Sequence, residues 1–378
     1  MLDYEFLRLA LWGIIGFLFI GFMITDGFDM GVGILLPIIG KNDEQRRMMI
    51  NAIAPHWDGN QVWFVTAGGA LFAVWPTVYG AAFSSLYFAM LFVLFALFFR
   101  PVGFDYRSKL TDSRWRDSWD KLIFIGSIIP PLLFGIAFGH LFLGVNFEFD
   151  DLLRASFSVS LISLFHPFAL TTGFVSVAMV VTHGACWLQL RTDGEVADKA
   201  SRIAQHSAKF MIVVFSLAGL WLLIGIDGFQ ITHISRFDGP SNPLLKTVVQ
   251  GDVTWWHNYA EHPWMLVAPL MAYAGAYGVI RLAKQSTVRQ FLSSSVAIAG
   301  VILTAGFSLF PFIMPSSMNP NHSLTIWDAT SSQMALNIIF WVAVVFIPLI
   351  LSYSLWCYWV MWEKMSEEFV KKNTHTLY

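Results

Sequence analysis

The chain is predicted to be an all-α integral membrane protein with about nine transmembrane helices. Three observations carry that expectation. Of 378 residues, 56% are hydrophobic and only 13% charged, against about 25% charged in a soluble domain. Mean hydropathy is +0.60. Apolar runs of about 20 residues, the length needed to cross a bilayer core, recur along the whole sequence. Thirty-five Phe and 16 Trp supply lipid-facing bulk and rings that settle at headgroup depth.

Taken in order, the runs fall at roughly 9–39, 49–74, 80–99, 122–143, 164–187, 209–226, 263–282, 291–313 and 335–357, and make one polytopic membrane domain over 1–378. The first begins after Met1-Leu-Asp-Tyr-Glu-Phe-Leu-Arg8, which has two acids and a late arginine. A cleavable signal peptide begins with a basic region, so this segment is expected to stay in the mature protein. Its second half carries Thr25, Asp26 and Asp29. The second run is the ambiguous one, because it contains Pro55, His56, Asp58, Asn60 and Gln61.

Loop charge decides whether that run crosses. With nine crossings, one side receives 40–48, 100–121, 188–209, 281–290 and 358–378, which hold 19 of the 23 Lys and Arg. Without the second crossing the contrast falls to 17 against 6. The positive-inside rule therefore predicts nine helices, the N-terminus outside and the C-terminus inside. Asp26 and Asp29 then lie in the inner half of the first helix. Asp58 is expected about 14 Å along the second, counted from Met49 at 1.5 Å per residue, and Asp105 follows the third on the same side. A second polar group, Asp227 and Asp328, falls outside. So does the Gly/Pro-punctuated stretch 227–262, which reads as a surface cap.

Acids at membrane depth are costly and tend to face a protein interior or a wet cavity. Asp26 and Asp29, three apart, share a helix face, and Gly27, Gly31 and Gly33 leave it open to close neighbours. Three readings of Asp26, Asp29, Asp58 and Asp105 stand side by side. They form a proton path, with His56, Asn60, Gln61 and Arg100 in support. Alternatively Asp29, Asp58 and Asp105 form a buried knot with His56, Arg100 or Arg107. In the third, those same three carboxylates hold a structural cation through oxygen ligands.

Other chemistry is not signalled. His56, His140, His166 and His183 are scattered and give no haem-ligand pattern, and neither Cys-x-x-Cys-His nor a phosphate-binding glycine loop occurs. Cys186 and Cys357 end apolar runs and are expected to be free thiols. The net charge of −2 predicts no nucleic-acid partner. Segments 310–317 and 323–333 read as a helix end, a proline stop and a cap for the ninth helix, among whose polar and aromatic groups a quinone head could rest.

Longer strings are more specific. Thr25-Asp-Gly-Phe-Asp-Met-Gly-Val-Gly33, Ile53-Ala-Pro-His-Trp-Asp-Gly-Asn-Gln-Val-Trp63, Thr66-Ala-Gly-Gly-Ala-Leu-Phe-Ala73, Phe98-Phe-Arg-Pro-Val-Gly-Phe-Asp-Tyr-Arg107, Phe312-Ile-Met-Pro-Ser-Ser317 and Asn373-Thr-His-Thr-Leu-Tyr378 closely resemble subunit II of cytochrome bd-type ubiquinol oxidases, in the proteobacterial long form. The resemblance implies two four-helix bundles plus a peripheral helix, paired with a subunit I that ligates haem b558, haem b595 and haem d. The complex would oxidise ubiquinol and reduce O2 to water in the bacterial inner membrane. This chain would supply support, a cytoplasmic proton path through Asp26, Asp29, Asp58 and Asp105, and a place for bound ubiquinone. Membrane lipids and a small single-helix accessory subunit complete the expected partners. The rival class is a stand-alone proton- or cation-coupled transporter, with which nine helices and polar breaks are compatible.

Overall fold

The computed structural model describes residues 1–234 and 236–372, apart from the side chains of residues 252 and 253; the string 373–378 lies outside the described residues. Helix α1 (Tyr4–Ile39) opens on Asp3, whose carboxylate accepts the Phe6 N–H at 2.9 Å, which satisfies one of the donors a helix start leaves free. Its 36 residues make it about 54 Å long, more than one bilayer core, so it projects beyond the membrane. Short α2 (Asp43–Asn51) is capped by Asn42 in the same way, Gln45 N–H to Asn42 Oδ1 at 2.8 Å.

The expected second span, 49–74, is broken. Residues 52–56 form turns, and α3 (Trp57–Val74) starts afresh after Pro55. Pro55 has no N–H with which to continue the helical ladder, and the chain breaks beside it, although Pro101 is carried inside the helix Tyr87–Tyr106. Asp58 therefore sits in the first turn of α3 rather than well inside a continuous helix. Next comes α4 (Pro76–Ser85), bent by 117° from α3, with Pro76 where a missing N–H costs nothing. The third crossing, α5 (Tyr87–Tyr106), thus starts later than the expected 80.

The remaining long helices are α6 (Ser113–Leu143), α7 (Pro167–Arg191), α8 (Gly194–Ile224), α10 (Val267–Leu282), α11 (Thr287–Leu309) and α12 (Gln333–Val360), with short α9 (His257–Glu261) and α13 (Glu367–Lys372) between and after them. Among the described residues eight helices are long and apolar enough to cross a membrane, and nine if the bent pair α3–α4 is counted as one. Two four-helix groups are evident. One is α1, α3, α5 and α6; the other is α7, α8, α10 and α11; α12 lies outside both, against α1 and α3.

Small residues make the seam between the groups. A Cβ on Gly31 of α1 would lie 2.1 Å from the Val180 carbonyl oxygen of α7, and one on Gly135 of α6 would lie 2.5 Å from that of Thr172. Only glycine permits backbones this close.

Opposite the arginine-rich end, the helix ends are covered by three antiparallel hairpins. These pair β1 (Phe147–Phe149) with β2 (Ala155–Phe157), β3 (Asp227–Ile234) with β4 (Lys246–Thr254), and β5 (Phe312–Met314) with β6 (Leu324–Thr325). In the largest, Ile231 faces Val248 and Phe229 faces Gln250, and Phe229 and Val248 bury their side chains over the second bundle. The stretch read as a polar surface cap is thus an apolar-backed ribbon. Arg8 ties it to α1, donating to the carbonyls of Phe237 and Gly239 and to Thr330 Oγ1. Beneath the ribbon Lys246 meets Asp328 at 2.8 Å, both buried, while Asp227 is exposed. Burial lowers the Lys246 pKa, with the Asp328 carboxylate opposing it.

Candidate functional site: a buried acid pair and an exposed acid pair

The four acids singled out in the sequence divide into two kinds. Asp26 and Asp29 have 1% and 0% of their surface exposed, whereas Asp58 and Asp105 are exposed. The convergence expected for all four therefore holds only for the pair on α1, one turn apart on its inward face.

Asp26 is matched by Arg100 from α5. Two guanidinium nitrogens reach its two carboxylate oxygens at 3.0 and 2.6 Å, the two-pronged geometry in which arginine binds a carboxylate best. Arg100 itself is 0% exposed. Its position is set by α5, where Pro101 sits inside the helix and Gly103 packs under Ile123 of α6.

Asp29 has a different partner. Asn60, in the first turn of α3, donates from Nδ2 to Asp29 Oδ2 at 2.7 Å and, more loosely, to the Thr25 carbonyl at 3.4 Å. Asn60 Oδ1 in turn accepts from the Tyr358 hydroxyl of α12 at 2.5 Å. The His56 ring, at the N-cap of α3, stacks on Tyr358 with centroids 4.1 Å apart. Asp29 Oδ1 and His56 Nε2 are buried and have no hydrogen-bond partner among the described residues. Gln61, expected to support the site, has a buried amide nitrogen in the same condition.

Asp58 and Asp105 are surface groups. Asp105, together with Tyr106, Lys109, Leu110 and Trp115, lines a groove of about 530 Å³ at the basic end. The knot drawn from the sequence, with Asp58 and Asp105 held by Arg100 or Arg107, is corrected. Arg100 belongs to Asp26, and Arg107 is bound by Asp120 at 2.5 Å and by Asp43 at 3.0 Å. The cation site is corrected too, because no group of three His, Cys, Asp or Glu side chains able to hold a metal occurs among the described residues. The burial that separates Asp29 from Asp58 and Asp105 is the physical reason.

Sequence reasoning missed Asp120, which also takes Arg46 at 2.8 Å, and Tyr358. Asp120 lies on α6 beside Asp117 in a charged stretch that resembles any solvated helix start. Tyr358 is hidden in the aromatic run 353–362. No local pattern separates it from a lipid anchor.

Of the four histidines singled out in the sequence, two have clear hydrogen-bonding roles. His183 is buried with both ring nitrogens in use, Nδ1 with Ser294 Oγ at 2.7 Å and Nε2 with the Ile24 carbonyl at 2.8 Å. His166 Nδ1 caps α7 by accepting the Phe168 N–H. His56 is covered by Tyr358, and His140 shares with His166 a groove of about 460 Å³ lined by serines and Asn146. Cys186 and Cys357 are free thiols.

Comparison with known proteins decides the family. Residues 7–361 match the family model described as cytochrome bd terminal oxidase subunit II. This chain belongs to that family. It is 51% identical over 379 aligned residues to cytochrome bd-I ubiquinol oxidase subunit 2 of Escherichia coli K12, covering 100% of both chains. It is 45% identical to a probable cytochrome oxidase subunit 2 of Haemophilus influenzae, again over 100% of both. Cytochrome bd ubiquinol oxidase subunit 2 of Bacillus subtilis is 30% identical over 95% of this chain and 97% of its own. The solved bd oxidase of Geobacillus thermodenitrificans superposes with a TM-score of 0.67 over 96% of this chain and 99% of that one, at 17% identity; this likeness is one of fold. A bd oxidase subunit II implies a subunit I, and haem belongs to the complex that the two make.

Proposed function

We propose that this chain is the haem-free subunit of a bacterial ubiquinol:O2 oxidoreductase and carries protons from the cytoplasm toward its partner. The observation behind the proposal is the buried Asp29, held by Asn60 through one oxygen only, beside the neutralised Asp26–Arg100 pair. A carboxylate deep in low dielectric with one free oxygen is placed to take up and release a proton. Exposed Asp58 and Asp105 at the basic end collect protons; Asp26 and Asp29 hold the inner stage. The basic end is assigned to the cytoplasm by its Lys and Arg excess, which puts the N-terminus in the periplasm and the C-terminus inside, in the inner membrane.

Haem b558, haem b595 and haem d are assigned to subunit I on the strength of the family resemblance. Bound ubiquinone, surrounding lipids and a single-helix accessory subunit belong to the same reading. Asp58→Asn tests it. Assembly and the haem spectrum should be kept while oxidase turnover slows. A fully assembled variant at wild-type turnover removes Asp58 from the path; loss of haem together with assembly would make Asp58 a structural residue instead. The transporter reading is not favoured, since the family is that of a terminal oxidase subunit.

A further inference from the structure

Helix α12 buries a single side chain fully, Leu336, and stands outside both bundles. Yet near its far end it sends Tyr358 inward to the one amide that holds Asp29. An amide can present either its oxygen or its NH2 to a given neighbour. Here the Tyr358 hydroxyl, donating at 2.5 Å, claims the oxygen. The NH2 of Asn60 is then turned to Asp29 Oδ2, and the carboxylate meets a donor.

We propose that Tyr358 is a positioning residue for proton transfer, acting as the latch that fixes the Asn60 amide. With the latch closed, Asp29 is accepted as a carboxylate through Oδ2, and Oδ1 is left free to gain a proton and pass it on. Without the hydroxyl, the amide is free to turn its oxygen to Asp29. That orientation suits only the protonated acid, which would donate to it, so the proton would be retained. The inference rests on the proton-path reading above. The groups facing this centre are Asp26 on the same helix, Arg100 from α5, His56 from the turn before α3, and Arg191 from α7.

The test is Tyr358→Phe in the assembled complex. Turnover should fall roughly tenfold, equivalent to about 1.4 kcal/mol of barrier, and the acid limb of its pH profile should move to higher pH, because Asp29 holds its proton longer. Difference infrared spectra should gain a protonated-carboxyl band that disappears when Asp29→Asn is added. Loss of amplitude with an unmoved limb and no new band would make Tyr358 merely structural and overturn the proposal. Asn60→Ser supplies an independent arm: it should lower turnover and move the acid limb as Y358F does, and adding Y358F should change nothing more. A full tenfold further loss in that background, or an unmoved limb in assembled N60S, would also overturn it. Should Asp29→Asn turn over at the wild-type rate, the proton path fails at Asp29, and the infrared comparison of wild type with Y358F still decides what Tyr358 does to the acid.

Discussion

Arg100 grips Asp26 with two nitrogens, 2.6 and 3.0 Å from its two oxygens, and neither residue has more than 1% of its surface exposed. Removing one partner strands the other as a bare charge in the membrane interior. Arg100→Gln or Asp26→Asn should therefore destabilise the chain by about 3–5 kcal/mol, seen as lost complex and a lower thermal midpoint in detergent. The double variant Arg100→Met with Asp26→Leu should recover most of that stability but not the turnover. A double variant no more stable than either single one would contradict this account.

Asp105 should behave in the opposite manner. It is exposed in a groove and holds no buried partner, so Asp105→Asn should leave the thermal midpoint within the small range of surface changes, about 0.5 kcal/mol. Turnover should fall if the groove admits protons. Measuring both on one preparation separates the exposed pair of acids from the buried pair.

Packing at Gly31 allows a sharper expectation. Alanine there puts a methyl carbon 2.1 Å from the Val180 carbonyl oxygen, a contact that backbone must move to relieve. Gly31→Ala should cost about 1–3 kcal/mol or more and reduce the yield of folded protein. Gly59→Ala, where a Cβ meets nothing within 4 Å, is the control and should fold normally.

At the hairpin end His322 Nδ1 accepts the Phe149 N–H at 3.1 Å, which only an unprotonated nitrogen can do. Burial lowers the His322 pKa; Lys246 adds to the lowering and Glu148 opposes it. With the folded value below the unfolded value of about 6.5, the unfolded chain binds the proton first. Stability should thus be present above that value and decline as pH falls toward the folded one. Protection of the Phe149 amide, measured relative to its intrinsic exchange rate at each pH, should fall on acidification below about pH 6.5, and His322→Gln should flatten the dependence. Unchanged protection in the wild type across this range would count against the assignment.

Much of the architecture was legible because bilayer crossing imposes a length and a polarity on every element. The apolar runs and the Lys and Arg bias predict nine crossings; eight stand as single long helices among the described residues, and the ambiguous second is the bent pair α3–α4. They did not give its break, because a proline such as Pro55 can lie inside a helix, as Pro101 does, or beside a break, and the local sequence does not say which. Buried Asp26 and Asp29 were legible from their spacing and glycine neighbours. Their partners were not. Arg100 and Asn60 come from other helices, and Tyr358 lies 298 positions from Asn60, so no periodicity connects them. The exposed state of Asp58 and Asp105 was also hidden, since helix depth says nothing about which way a side chain faces around the bundle.

The glycine seam between α1 and α7 also has a mechanical meaning. Where main chain lies on main chain, with Gly31 against Val180 and Gly184, there is no cushion of side chains to repack during a sliding or tilting motion. Alternating access works by rocking one half of a protein against the other. The proposed proton path needs no such rocking, because Asp29 and Asn60 already lie within hydrogen-bond reach of each other.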